Sequence, residues 1–86
     1  MSRPVKRSFT IAGHRTSISL EASFWEALKA LAAEERMPVA KLIARIDQDR
    51  GGGGLSSAVR VWILKRYQAA LAEAGDRETP KAALTR

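Results

Sequence analysis

The sequence predicts a small, mostly α-helical protein with one short β-strand, which pairs with the same strand of a second copy. Three observations predict this fold. Residues 15–20 alternate like a half-buried strand, residues 24–32, 39–46 and 58–67 carry apolar stripes of helical period, and the 86-residue chain has no cysteine and one histidine. Chains this short often need disulfides, a metal or a partner to be stable. Without disulfides or a zinc site, oligomerisation is the remaining way to stabilise the fold.

The predicted strand has one apolar and one polar face. Thr16, Ile18 and Leu20 face one way, whereas Arg15, Ser17 and Ser19 face the other way. A lone strand is not stable, because its backbone donors and acceptors need a partner strand. Either residues 8–11 fold back on it or a second copy supplies the partner, and we favour the second copy. Two antiparallel copies would form a ribbon with both polar faces outward.

Three helices follow the strand. Ser23 and Glu26 have the spacing of a capping box, although a start of the first helix near Glu21 is also open, and this helix ends near Glu35 or Arg36. Pro38 suits the first turn of a second helix, which runs to residue 47 or 48. A third helix starts at residue 56 or 57 and ends at about residue 74, with Gly75 as its stop signal. The residues expected in the core or the dimer interface are Ile18, Leu20, Phe24, Leu28, Leu31, Leu42, Ile43, Ile46, Val59, Trp62 and Ile63.

The third helix is apolar over so much of its circumference that it is expected to be buried on two sides, one of them against a partner subunit. The predicted organisation is a basic N-terminal arm with a potential extra strand (1–13), a strand-helix-helix core (14–48), a glycine-rich linker (49–54), a C-terminal packing helix (55–75) and a flexible tail (76–86).

Charge is concentrated at the N-terminus. The net charge is +6, and the first twenty residues hold Arg3, Lys6, Arg7 and Arg15 without any acid, the first of which is Glu21. A basic segment without compensating acids suggests a polyanionic partner. Arg3, Lys6 and Arg7 are therefore candidate phosphate contacts, with a solvated tail as the alternative. His14 is either a turn residue or a further phosphate contact.

Several functional classes find no support in the sequence. His14 has no cysteine or paired carboxylate to form a metal site, and no nucleophile–base arrangement indicates an enzyme. The glycines at 51–54 lack the Lys-Ser or Lys-Thr of a phosphate-binding loop. Apolar runs are too short for a signal peptide or a membrane span. We expect a non-enzymatic, cytoplasmic, nucleoid-associated protein without cofactor, metal or membrane contact.

The predicted strand is followed by Phe24…Leu28…Leu31-Ala32, then by Met37-Pro38 and by Leu42-Ile43. This order resembles the ribbon-helix-helix family of DNA-binding proteins, the type of the Arc and MetJ repressors. The resemblance covers residues 14–48 without a gap. Members of that family are dimers that insert an intermolecular β-ribbon into the major groove of DNA. The resemblance therefore implies a ribbon-helix-helix fold with an additional C-terminal helix.

The resemblance also implies roles for residues at matching positions. The outward strand residues of the family read base edges, and here they are Arg15, Ser17 and Ser19. The family clamps a phosphate with the backbone at the start of its second helix, which corresponds here to Val39, Ala40 and Lys41. Pro38, which offers no N–H, departs from the residues usual at that helix start.

A second alignment to the family is open. Residues 55–60, Leu-Ser-Ser-Ala-Val-Arg, also look like the start of the family's second helix, in which case residues 37–54 are an insertion and the second helix is 55–71 rather than 38–48. We favour the gapless alignment, because residues 39–46 already supply the stripe of a second core helix.

Two functions from different classes fit these features. The first is a homodimeric, sequence-specific binder of double-stranded DNA that acts as a transcriptional repressor or autoregulator, with a higher oligomer on DNA left open. The second is an antitoxin-like or other protein-interaction module, whose C-terminal helix binds a partner protein. Charge placement favours the first, because an interaction module has no need to keep acids out of residues 1–20.

Overall fold

Two strands precede three helices in the computed structural model, which describes residues 3–78. The elements are β1 (Val5–Ile11), β2 (His14–Leu20), α1 (Ala22–Glu34), α2 (Val39–Asp49) and α3 (Leu55–Glu78). A two-stranded sheet followed by helices, with an extra helix at the C-terminal end, is the predicted ribbon-helix-helix arrangement. None of the helices in the described residues is long and apolar enough to cross a bilayer.

The partner of the predicted strand differs from the expectation. β2 pairs antiparallel with β1 of the same chain, from Val5 opposite Leu20 to Ile11 opposite His14, so that each chain has two strands where one was expected. Ala12 and Gly13 form the two-residue turn, with φ of 52° and 82°. Two positive φ values match the twist that short hairpins require. The chain therefore supplies a partner strand for one edge of β2 by itself.

Backbone hydrogen bonds define both ends of α1. The carbonyl of Glu21 accepts from the N–H groups of Phe24 (2.9 Å) and Trp25 (3.1 Å). The helix therefore begins after Glu21, the alternative start, and Ser23 lies inside the helix and is not its cap. At the other end Arg36 adopts a left-handed φ of 57°. Met37 N–H then donates to the Ala32 carbonyl at 3.0 Å, which closes the helix end and turns the chain toward α2.

α2 begins after Pro38, whose carbonyl accepts from Lys41 N–H (3.0 Å) and Leu42 N–H (3.1 Å). Pro38 is therefore the residue before the helix and not part of its first turn. The glycines at 51–54 that follow are exposed. Arg50 fastens this linker by donating to the Asp47 carboxylate at 2.5 Å and to the Gly53 carbonyl.

α3 is longer than predicted. It runs through Gly75 to Glu78, because Gly75 does not adopt the positive φ that ends a helix at a glycine. The flexible tail predicted from residue 76 is thus helical in its first three residues, and residues 79–86 lie outside the described part of the chain.

The core lies between the inner face of the hairpin and the three helices. Of the residues expected in the core or the interface, Phe24 and Trp62 are half-buried and the others are buried. Three further residues belong to this core, namely Ile11 of β1 and Trp25 and Ala32 of α1, which are 6%, 4% and 2% exposed. Ile11 and Trp25 hold β1 against the core, which is consistent with its role as the partner of β2.

Candidate nucleic-acid interface

The outward face of the hairpin carries only polar side chains. The register places Lys6 opposite Ser19, Ser8 opposite Ser17 and Thr10 opposite Arg15. Alternate residues on both strands point inward, where Ile11, Ile18 and Leu20 are buried. We call the six outward residues the ribbon face. All of them are exposed except Ser19, which is half-buried.

The ribbon face is positively charged. It carries Lys6 and Arg15, and β1 and β2 contain no acid. The first acid after β2 is Glu21, and Arg60 of α3 donates to its carboxylate at 3.2 Å. A hydrogen bond to its own backbone, followed by the bond from Arg60, lowers the pKa of the Glu21 carboxyl below its usual value. The negative charge nearest the end of the hairpin is therefore paired and not free to repel an anion.

Trp25 of α1 contacts the inner side of β1. Its indole N–H donates to the Val5 carbonyl at 2.9 Å, and its ring lies 5.9 Å from that of Phe9. The Arg7 guanidinium covers the Trp25 ring at 5.3 Å from the ring centroid. These contacts hold the inner side of β1 from Val5 to Phe9, so the outward side chains are presented by a supported strand.

The first turns of α3 hold the end of β2. Ser19 N–H donates to the Ser56 hydroxyl at 3.1 Å, and Arg60 donates to the Ser19 carbonyl at 3.3 Å. Since Ser19 uses both backbone groups toward α3, neither group points at β1. By the alternation of an antiparallel ladder, the N–H and C=O groups of Ser17 and Arg15 face the same side of β2. The start of α3 thus lies beside the ribbon face at its Ser19 end.

The dimensions of the hairpin suit the major groove of DNA. Each strand has seven residues. Such strands are about 23 Å long and about 5 Å apart. The major groove is about 12 Å wide and admits a two-stranded ribbon, so side chains of this face could reach base edges along several base pairs.

The structure brings together some of the predicted site residues and separates others. Arg15, Ser17 and Ser19 share the ribbon face, and Lys6, predicted as a phosphate contact, joins them. Arg7 lies on the opposite side, against Trp25. Arg3 and His14 are exposed near the two ends of the hairpin, outside the ribbon face.

The predicted phosphate clamp at the start of α2 lies behind the hairpin. Val39 lines a small cavity of ≈ 160 Å³ together with Arg7, Phe9, Trp25 and Lys29, on the inner side of β1. Ala40 is half-buried and Lys41 is exposed. The start of α2 is therefore separated from the ribbon face by β1 itself.

Sequence reasoning missed Ser8 and Thr10 as members of the ribbon face. Ser8 and Ser17 even lie within hydrogen-bonding distance across the strands, with 3.4 Å between their hydroxyl oxygens. The signal was present, because Lys6, Ser8 and Thr10 alternate with Phe9 and Ile11 immediately before a two-residue turn.

A family model described as a ribbon-helix-helix domain matches residues 4–67. The chain belongs to the ribbon-helix-helix family. The ribbon-helix-helix match is wider than the resemblance found in residues 14–48, since it takes in β1 and the first half of α3. Ribbon-helix-helix proteins commonly bind DNA as transcription regulators or antitoxins, and the family is generally regulatory and not enzymatic. Searches of curated proteins and of solved structures returned no match.

Proposed function

We propose that this ribbon-helix-helix protein is a homodimeric, sequence-specific binder of double-stranded DNA that represses transcription, including that of its own gene, at the nucleoid. The ribbon face carries the proposal. Six polar side chains with two cations and no acid stand on a supported hairpin. A sheet face that contacts only solvent can carry acidic side chains. A face that contacts base edges and phosphates lacks them, because the phosphates would repel them.

Each type of side chain on the ribbon face has a partner in the major groove. Arg15 can donate two hydrogen bonds to O6 and N7 of guanine, and Lys6 can donate to the same atoms. The hydroxyls of Ser8, Ser17 and Thr10 can donate to or accept from any of the four bases. The two cations would thus fix preferred guanines, and the hydroxyls would adjust to their neighbours.

For the phosphate contact of the family's second helix, the start of α3 is better placed than the start of α2. The N–H groups of residues 55–57 precede the first helical bond, which Ala58 N–H makes to Gly54 at 3.0 Å. Ser56 accepts from Ser19 of the ribbon face, so these amides lie at its edge. This geometry supports the alignment in which residues 55–71 are the family's second helix, and in it Leu55, Ser56 and Ser57 replace Val39, Ala40 and Lys41. Arg3 and His14 remain candidates for further phosphate contacts.

Selection of duplexes from a random DNA pool by the purified full chain tests the proposal. We expect the wild type to enrich a common sequence motif. The double variant Lys6→Ala/Arg15→Ala should lose this enrichment while it still binds bulk DNA at low salt. The matched control is Lys29→Ala/Lys65→Ala, which removes two exposed positive charges from helices and leaves the ribbon face intact. It should enrich the same motif as the wild type.

The two double variants also separate charge from position. Affinity for random duplexes should fall with salt for all three proteins, since phosphate contacts release counterions. Equal loss of motif enrichment in both variants would mean that net charge alone, and not the ribbon face, determines binding. Absence of any DNA binding by the wild type at low salt would refute the proposal.

A protein-interaction module, such as an antitoxin-like protein, is the second candidate. The exposed apolar side chains of α3 favour it, namely Val61, Leu64, Tyr67 and Leu71. This candidate predicts that the ribbon-face variant behaves like the wild type in every assay with DNA, so the same selection experiment discriminates between the two functions.

A further inference from the structure

The outward series of β2 leads to an acid at its end. The outward residues of this strand are Arg15, Ser17 and Ser19, and Glu21 is the next position in the same alternation. The backbone is still extended at Glu21, with φ of −62° and ψ of 153°. Positions two residues apart in an extended chain share a side and are about 7 Å from each other. Glu21 therefore continues the series and places a carboxylate beside the Ser19 end of the ribbon face.

A free carboxylate at this position would oppose DNA binding. Hydrogen bonds to its own backbone and from Arg60 lower the pKa of the Glu21 carboxyl, so the group is ionised at neutral pH. A DNA duplex carries about one negative charge per 1.7 Å of its length. Repulsion between two like charges at contact distance changes an affinity about fivefold even in water. A ribbon face that meets phosphates therefore needs this charge to be offset.

Arg60 of α3 offsets the charge of Glu21. Its Nε donates to the Glu21 carboxylate at 3.2 Å, and its Nη2 donates to the Ser19 carbonyl at 3.3 Å. The side chains of the ion pair are 34% and 33% exposed, so water reaches both of them only in part. A guanidinium holds its donors in a fixed fork. The two bonds therefore set the position of the carboxylate relative to Ser19.

These contacts join the ribbon face to the start of α3. Ser19 N–H donates to the Ser56 hydroxyl at 3.1 Å, and Arg60 follows Ser56 by four residues, on the same side of the helix. The first two turns of α3 thus hold both backbone groups of Ser19. The side chain that neutralises Glu21 is also the one that holds the Ser19 carbonyl.

We propose that Arg60 is a positioning residue for DNA binding, which holds the Ser19 end of the ribbon face against α3 and cancels the charge of Glu21. It acts through Ser19 and Glu21, so that this end of the ribbon face can approach the phosphate backbone. The inference rests on the DNA binding of the proposed function. It adds a residue outside the ribbon face, on the opposite side of β2 from β1.

A second ion pair on α3 provides a matched control. Arg66 lies 2.9 Å from Glu35, and their side chains are 39% and 25% exposed. Arg66 follows Arg60 by six residues, about 9 Å further along the helix axis. Replacement of either arginine by methionine removes the charge and the donors but keeps an apolar stem. Replacement of either glutamate by glutamine removes its negative charge. The two double-mutant cycles therefore change the net charge equally at two different places.

Affinity of the full chain for a random-sequence duplex at one low salt concentration measures the effect of charge. We expect Arg60→Met to bind about tenfold more weakly than the wild type, because it loses a cation and frees an acid. Glu21→Gln should bind about three- to fivefold more tightly, because Arg60 then attracts phosphates without a competing carboxylate. The double variant should return to the affinity of the wild type. The variants of Arg66 and Glu35 should all stay within about twofold, since salt screens distant charges.

Two other patterns would overturn the proposal. If the ion pair only stabilises the fold, Glu21→Gln weakens binding as Arg60→Met does, and the double variant does not recover. If net charge alone decides, the changes in the two cycles are equal. Circular dichroism checks that each variant is folded. Should Arg60→Met not fold, Glu21→Gln still decides, because it keeps Arg60 and its bond to Ser19: tighter binding supports the proposal, and unchanged or weaker binding overturns it.

Amide hydrogen exchange of the free protein tests the positioning of Ser19 without DNA. Arg60→Met should speed exchange of the Ser19 amide at least about tenfold, because α3 then holds only one backbone group of this residue. Glu21→Gln and Arg66→Met should exchange as the wild type does. Unchanged protection of Ser19 in Arg60→Met would overturn the positioning role. A wild type that binds no DNA refutes the proposed function, whereas a wild type that binds DNA beside a double variant that does not recover refutes this inference alone.

Discussion

Replacing Trp25 tests whether α1 holds the hairpin in place. Trp25 is 4% exposed and makes three contacts with β1: a hydrogen bond to the Val5 carbonyl, a ring contact with Phe9 and the guanidinium of Arg7 above its ring. Trp25→Phe keeps an aromatic ring but removes the N–H donor. Trp25→Ala removes all of these contacts and leaves a cavity.

The structure gives different magnitudes for the two variants. A net hydrogen bond contributes about 0.5–1.5 kcal/mol, and the smaller phenyl ring loses some packing, so we expect Trp25→Phe to lower the free energy of unfolding by about 1–2 kcal/mol. For Trp25→Ala we expect about 3–5 kcal/mol, as for other buried aromatic residues. The Val5 residue is 40% exposed, so water can partly replace the indole N–H as a donor to its carbonyl.

Urea unfolding at one fixed protein concentration measures these changes, because oligomerisation makes stability depend on concentration. Trp62 remains as a fluorescent reporter in both variants. The matched control is Trp62→Phe, with Trp25 as the reporter. Trp62 is half-buried, and its indole makes no hydrogen bond within the described residues. This control should therefore cost less than Trp25→Phe.

Amide hydrogen exchange then locates the effect. In Trp25→Phe the amides of β1 should exchange faster while those of α2 change little, since β1 loses an anchor and α2 does not. A cost of Trp25→Ala below about 1 kcal/mol would refute the conclusion that this side chain fixes β1. Equal costs for Trp25→Phe and Trp62→Phe would show that the bond to Val5 contributes nothing measurable.

Three further predictions concern single positions. Arg15→Ala should leave the fold unchanged, because Arg15 is exposed and its side chain is unpaired in the described structure. The variant should lose about 1–3 kcal/mol of DNA-binding free energy per specific base contact. The ratio of affinities for selected and random DNA measures this loss, and Lys65→Ala should leave that ratio unchanged. Arg36→Gly should raise the free energy of unfolding by up to about 1 kcal/mol, since glycine adopts the left-handed φ of 57° without steric strain. Arg45→Gly, inside α2, should instead lower the free energy of unfolding. A destabilised Arg36→Gly variant would contradict the reasoning. Because the pKa of Glu21 is lowered in the folded state, its carboxylate should stabilise the fold above the usual pKa of 4.5 and lose this contribution as the pH falls below that value. The urea midpoint of the Glu21→Gln variant should therefore depend less on pH in that acidic range than the midpoint of the wild type.

Local patterns predicted most of the secondary structure. The helical stripes placed α1 and α2 to within one or two residues, and the alternation at 15–20 identified the polar side of β2. These assignments succeed because the side of an element that is buried determines the spacing of its apolar residues. This spacing is visible in a short stretch of consecutive residues. The end of α3 was predicted too early, because a glycine permits a left-handed stop without requiring one.

The partner of β2 was decided only by tertiary structure. Ala12-Gly13 is a weak local turn signal, because alanine at a φ of 52° costs energy that asparagine or glycine largely avoids. Contacts distant in sequence offset this cost: β1 buries Ile11 and brings Phe9 and the Val5 carbonyl to Trp25. By itself the sequence determined the composition of the ribbon face on β2, the charge near it and the helices behind it. The tertiary structure added Lys6, Ser8 and Thr10 to that face, because strand pairing depends on what both strands bury and not on either strand alone.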